Sequence, residues 1–247
     1  MLGIRPKLPP SCLGVARAHL LLQVTLTNLM SHACACAGSL PVLVPPCTTS
    51  GQLTALQVRG TPKFFADWDP ARELQGEQLL PFPKLQELET DEVAGVLTAP
   101  ICRLLSSSLT KLSFEHNKEV ECFTKEQEEA LSLLRSLQDL QFQWCPKLRR
   151  LPAGLNKLTN LKKLLIWRPG AILSLPKNGL PGSLQELVVD DCIKLRCLPA
   201  GLHKLTNLKR LQIRLCPAIR SLPENGLPDS LQELDVRCLL NKKLTQE

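Results

Sequence analysis

The chain has 247 residues, 44% hydrophobic and 4% aromatic, with no tyrosine and a formal net charge of +7. Its 11 cysteines are odd in number, which excludes a fully paired disulfide scaffold, and its four histidines leave few partners for a Cys-His or Ser-His catalytic pair. Charge is segregated: counting along the sequence, residues 1–84 carry about +3, residues 85–136 about −5 and residues 137–247 about +9.

Residues 1–52 are irregular, with Pro9-Pro10 and Pro45-Pro46 and clustered Cys34, Cys36 and Cys47. Leu21, Val24 and Leu26 read as one decayed strand. Arg5, Lys7 and Arg17 before the apolar run Leu20 to Met30 imitate a secretory leader. Pro9 and Pro10 in an overlong basic region, and Gln23, Thr25, Thr27 and Asn28 within the run, argue against one. The run is also too short to span a bilayer. Cys34 and Cys36 are too close for a zinc C-x-x-C pair. No metal site and no cofactor are expected.

Residues 53–136 bring a strand signature at irregular spacing: Leu53 to Val58, Leu85 to Thr90 and Leu109 to Phe114. An insertion carries Phe64, Phe65 and Trp68, for which burial against the core is expected. From Thr124 to Ser136, T-x-x-Q forms a capping box, and Ala130, Leu131 and Leu134 make an inward stripe, which predicts a helix packed behind the strands.

Residues 137–247 repeat one pattern, L-x-x-L-x-Φ-x-x-C, opening at Leu137, Leu161, Leu184, Leu208 and Leu231, a spacing of 23 to 24 residues. The second leucine and Φ lie two apart and share one strand face. No single unit can bury that edge alone, so neighbours must stack into a solenoid whose parallel strands line a concave face. Cys145, Cys192 and Cys216 recur in phase, which implies a buried structural thiol facing a turn carbonyl where Asn117 makes stronger hydrogen bonds. The following segments alternate between "LPAGLNKLTN" or "LPAGLHKLTN" and "LPKNGLPGS" or "LPENGLPDS". Comparing residues 137–183 with 184–230, about 30 of 47 positions are identical, so the true unit is a duplicated pair. The first type predicts a short helical turn. The second, with Gly179, Pro181, Gly226 and Pro228, predicts extended chain. At the end Cys238 falls one position early and Leu239 takes its slot.

This L-x-x-L-x-Φ-x-x-C-x-x-Φ-x-x-L-P pattern, with cysteine where other classes prefer asparagine, resembles the leucine-rich-repeat region of plant nucleotide-binding disease-resistance receptors (NLRs). The alternating cassettes resemble cereal members most. The resemblance implies an α/β leucine-rich-repeat horseshoe with a concave parallel sheet and short helical or extended convex segments. It also implies an intracellular, noncatalytic array that binds a pathogen effector or a monitored host protein. In a complete receptor such an array restrains a nucleotide-binding domain. This chain has no G-x-x-x-x-G-K-[ST] phosphate loop, so it is expected to be the recognition part of a longer receptor, a decoy or an independent protein. No N-x-[ST] sequon and no L-x-G-x-I-P signature of extracellular arrays is present, and the expected compartment is the cytoplasm, with no membrane contact.

Counting each first leucine as position one, the third position reads Asp139, Lys163, Glu186, Arg210, Glu233. Its sign alternates at every step, as in a lateral ladder of ion pairs between strands. Positions seven and eight break that pattern and place Trp144, Trp167, Arg168, Asp190 and Arg214 at the strand exits. Trp and Arg are enriched at binding hot spots, and these five residues are the expected protein-binding site. The other reading has the rings folded over their own edge with Arg168 stacked on them. Two further functions fit less well: a substrate-selecting adaptor scaffold, and nucleic-acid binding through the basic later repeats. The acidic block and the alternating ladder interrupt any continuous phosphate track. No paired-carboxylate or H-E-x-x-H site stands out, and enzymatic function is not expected.

Overall fold

The computed structural model describes residues 53–60, 64–65, 84–176, 179–199 and 201–237. The chain divides into two units, Met1–Ser50 and Gly51–Glu247. The first unit, and with it the expected decayed strand, lies outside the described residues, as do Trp68 and the Cys238–Leu239 irregularity.

Among the described residues, the second unit is built on one sheet of eight parallel strands whose spatial order is their sequence order. They are β1 (Ala55–Val58), β2 (Glu87–Thr90), β3 (Lys111–Glu115), β4 (Asp139–Gln143), β5 (Lys163–Trp167), β6 (Glu186–Asp190), β7 (Arg210–Arg214) and β8 (Glu233–Arg237). Residues 53–136 supply β1 to β3 and residues 137–247 supply β4 to β8. Each connection advances by one strand, the open leucine-rich-repeat solenoid that the period implies.

The register follows from the leucines. Leu112, Leu140, Leu164, Leu187 and Leu211 pair in succession, as do Phe114, Phe142, Ile166, Val189 and Ile213, and every one of these side chains is buried. A slip by one residue would turn both rows to the open face. Burying each leucine contributes on the order of 1.5–3 kcal/mol, so register is fixed many times over. Two backbone devices extend the ladder beyond the strands. Gln138 O accepts from both Lys162 N (2.8 Å) and Lys163 N (2.9 Å), and the pattern recurs in later repeats. At the exit, Trp144 N donates to Trp167 O at 2.9 Å and Arg168 N to Asp190 O at 3.0 Å.

Behind the sheet the cassettes behave as their composition requires. "PAGLNK" and "GLHK" form 3-10 turns, Ala153–Lys157 and Leu202–Lys204. The Gly-Pro cassettes run extended and bend at Gly179 (φ 87°) and Gly226 (φ 79°), left-handed positions that favour glycine. The residue before each opening leucine alternates with them and ties one repeat to the previous one. Asn160 Nδ2 donates to Arg135 O (2.7 Å) and Asn207 Nδ2 to Gly182 O (2.8 Å), while Ser183 and Ser230 donate to Leu161 O (2.7 Å) and Leu208 O (2.9 Å).

The earlier repeats hold helices instead. The capping-box helix spans Lys125–Leu131, with both reciprocal Thr124–Gln127 bonds formed, and Ala130, Leu131 and Leu134 are buried. The sequence reading missed two short helices between β2 and β3, Val93–Val96 and Ala99–Leu105. Pro100 in the first turn and buried Ile101, Cys102 and Leu105 were the available signals. Phe65 is buried, as expected; it stacks edge-on against Phe64 at 4.9 Å, and its N–H donates to Glu92 Oε2 at 3.3 Å.

Candidate functional site: the open face and strand-exit rim

The third-position ladder forms and begins two strands earlier than the sequence reading placed it. Glu87, Lys111, Asp139, Lys163, Glu186, Arg210 and Glu233 are in-register partners in turn. Lys111 Nζ lies 3.2 Å from Glu87, Lys163 Nζ 3.5 Å from Glu186, and Arg210 bridges Glu186 (3.8 Å) and Glu233 (2.7 Å). Exposed pairs of this kind contribute about 0–1 kcal/mol each, so the ladder sets register and solubility more than stability. Asp139 turns to Gln141 Nε2 at 2.9 Å, and burial raises its carboxyl pKa against the pull of Gln141 and Lys163.

The fifth and seventh positions of the early strands close a second network. Arg59 bridges Glu89 and Glu115, Ser113 Oγ donates to Glu115 Oε1 at 3.1 Å, and Gln143 Nε2 lies 2.8 Å from both Glu115 Oε1 and Gln141 Oε1. Burial, with Glu89 beside it, raises the Glu115 carboxyl, while Ser113 and Arg59 oppose the shift. The network stops at β5 and β6, where the fifth position turns apolar as Leu165 beside Val188.

The eighth position has a feature that the sequence reading missed. His116, Trp144, Arg168, Asp191 and Leu215 all sit in the left-handed region, at φ 50° to 56°. Ordinary residues rarely adopt this conformation. Here it is over-determined, because each residue's N–H must reach the next repeat's seventh-position carbonyl. At this turn His116, Trp144 and Arg168 stack in succession along the rim, and Asp191 pairs with Arg168.

Trp144 is 38% exposed and takes the His116 ring almost parallel, centroids 5.8 Å apart at 7°. Trp167 meets its edge at 5.5 Å and 78°. The Arg168 guanidinium lies 4.4 Å from the Trp144 centroid and 5.6 Å from that of Trp167, and its Nε contacts Asp191 Oδ2 at 2.5 Å.

Of the five expected site residues, Trp144, Trp167 and Arg168 are therefore one cluster. Asp190 pairs in register with Trp167 on one side and Arg214 on the other. Its carboxyl is raised by burial and lowered by Arg214. Arg214 turns away to Asp235 (Nη2 to Oδ2, 2.6 Å), which Arg237 also contacts at 2.8 Å. Asp235 is held low by Arg214. His116 and Asp191 complete the cluster. Reading the eighth position back to β3 would have found His116.

The ninth-position thiols are buried and face carbonyls: Cys145 Sγ lies 3.4 Å from Gln143 O, Cys192 Sγ 3.5 Å from Asp190 O and Cys216 Sγ 3.0 Å from Arg214 O. Asn117 fills the same slot with a 2.6 Å bond to Asp91 O and accepts from Val120 N at 2.8 Å. Burial pushes the Cys145 thiol up to about 11. Among the described residues, no group of three or more His, Cys, Asp or Glu side chains is placed to hold a metal ion, and no helix is long and apolar enough to cross a membrane.

No protein-family model matches the chain, and no curated protein does. Among solved structures, the leucine-rich repeat domain of the type III effector XCV3220 (XopL) is similar, at 18% identity and a TM-score of 0.39, covering 95% of this chain and 98% of that one.

Proposed function

We propose that the chain is a noncatalytic protein-recognition array of an intracellular plant immune receptor, acting in the cytoplasm. Its partner is a pathogen effector or a monitored host protein, engaged through the strand-exit rim around Trp144, Trp167 and Arg168, with Asp190 and Arg214 alongside. Where the chain is part of a complete receptor, the nucleotide-binding domain is a second partner.

One observation carries the reading. Much of the open face is occupied by ion pairs between its own strands, whereas the rim gathers two tryptophans and an arginine into one partly exposed cluster. Rigid rings and a guanidinium are the groups that bury most area per lost degree of freedom at an interface. The plant assignment rests on the in-phase cysteines and alternating Leu-Pro cassettes, and the compartment on buried thiols that serve as hydrogen-bond donors.

Proximity labelling in plant cells tests the proposal, comparing the intact chain with a Trp144→Ala, Trp167→Ala double variant that circular dichroism shows to be folded. Loss of a discrete set of protein neighbours in the variant is expected. Identical neighbours for both chains would remove the rim from the binding site.

A further inference from the structure

The turns after the strands form a flank distinct from the open face and rim. Their twelfth positions, Leu148, Ile172, Leu195 and Ile219, are buried, so the intervening side chains point outward. The thirteenth position reads Glu121, Arg149, Leu173, Arg196, Arg220 from β3 to β7. The eleventh contributes Lys147 and Lys194. In the four turns after β4 to β7 there is no acidic and no aromatic side chain between the ninth and fifteenth positions.

Two large aliphatics stand among these cations, Leu173 at 49% and Ile193 at 53% exposure, on adjacent turns. Neighbouring turns are tied together, since Arg196 N donates to Leu173 O at 3.1 Å and Ser174 bridges Cys197 in parallel. Gly170 makes the approach possible: a Cβ there would fall 2.6 Å from Pro146 O. The flank is therefore a held surface. Lys147, Arg150, Lys194, Arg196 and Arg220 form no side-chain hydrogen bond or ion pair among the described residues, whereas Lys111, Lys163, Arg210 and Arg214 on the open face are each paired with a carboxylate.

The molecule shows what such a surface accepts. Where the flank meets the acidic block, Glu121 from the preceding turn sits against Arg149, Oε2 to Nη2 at 3.4 Å, while Arg149 N donates to Glu121 O at 2.8 Å. An acidic side chain from a neighbouring turn thus already meets the first cation of the row.

We propose that the flank is a second docking surface, independent of the rim, for an acidic protein segment bearing aliphatic side chains. Its carboxylates meet the unpaired cations and its aliphatics cover Leu173 and Ile193. Charge complementarity selects an anionic partner. The aliphatics then select a protein segment, because a phosphate backbone gains nothing by covering them, and a membrane interface draws on Trp and Tyr anchors that the flank lacks.

The test uses the full chain and fluorescence anisotropy with four probes. These are a labelled peptide of alternating Glu and Leu, an all-Glu peptide of the same length, single-stranded oligothymidylate, and phosphatidylcholine vesicles containing phosphatidylserine. The Glu-Leu peptide is expected to bind about tenfold or more tighter than the all-Glu peptide. That binding should fall by about tenfold in Lys194→Glu, Arg196→Glu and separately in Leu173→Ser, Ile193→Ser, both pairs being exposed. A Trp144→Ala, Trp167→Ala variant should bind it unchanged. Equal binding of the two peptides, stronger binding of oligothymidylate or vesicles, no binding, or indifference to either flank variant would overturn the proposal.

Discussion

Arg168 covers the face of Trp144, its guanidinium 4.4 Å from the ring centroid, while its Nε is held at 2.5 Å by Asp191. Three successive repeats are joined by that one side chain, so the rim is a preorganised unit. The same contact satisfies the groups that make the rim adhesive, and a partner must meet the exposed edges of the stack.

Arg168→Ala removes a cation–π contact and an ion pair at once. A loss of about 0.5–1.5 kcal/mol is expected, together with a red shift of tryptophan emission as Trp144 gains water. Urea titration followed by fluorescence measures both, and Arg168→Lys should recover only part of either, since an ammonium cannot stack as a plane.

The left-handed rim residues give a prediction with the opposite sign. Leu215 sits at φ 50°, is 38% exposed, and forms no rim contact comparable to that of Arg168. Leu215→Gly relieves a conformational penalty of about 1 kcal/mol or more and is expected to raise stability by about 0.5 kcal/mol after the lost contact area and the entropy of glycine are counted. The denaturant midpoint checks this, and Leu215→Val, β-branched at a left-handed site, should lower it.

The side-chain ties behind the sheet should behave as nearest-neighbour terms. Asn160→Ala and Asn207→Ala each remove one bond to the previous repeat, and each is expected to cost about 1 kcal/mol. These sites are two repeats apart, so their effects should add when both are changed.

Thiol chemistry separates the cysteines by burial. Cys122 and Cys197 are exposed, whereas Cys102, Cys145, Cys192 and Cys216 are buried. Alkylation under native conditions, read by mass spectrometry, should label the first two and spare the other four until the chain unfolds. Cys145 also links stability to pH. Its thiol rises from 9.0 to about 11 in the fold, so its contribution is complete below about pH 9 and is lost as pH climbs towards 11. Cys145→Ala should flatten that alkaline decline.

The strands from Leu137 onward and their register are legible in the sequence because each leucine position is fixed by the same geometric demand in every repeat. The alternating convex segments are legible too, since Gly179 and Gly226 announce a conformation that glycine favours. The left-handed rim is not. Trp144, Arg168 and Leu215 are poor signals for positive φ, and only the carbonyl one repeat further along explains why they adopt it. The sequence also grouped Arg214 with the rim, because position in the repeat does not show which neighbouring strand a long side chain reaches. The structure gives it to Asp235, a fifth-position partner on the next strand. Helices 93–96 and 99–105 were missed because the leucine period lapses there and their stripes are short.

The most direct measurement is photo-crosslinking in plant cells, with a photoreactive phenylalanine derivative placed once at Trp144 and once at Leu173. Recognition through the rim requires a discrete protein adduct from position 144 that weakens when Arg168→Ala is added, and no shared adduct from position 173. Absence of any adduct from 144, or one indifferent to Arg168, would contradict recognition through the strand-exit rim.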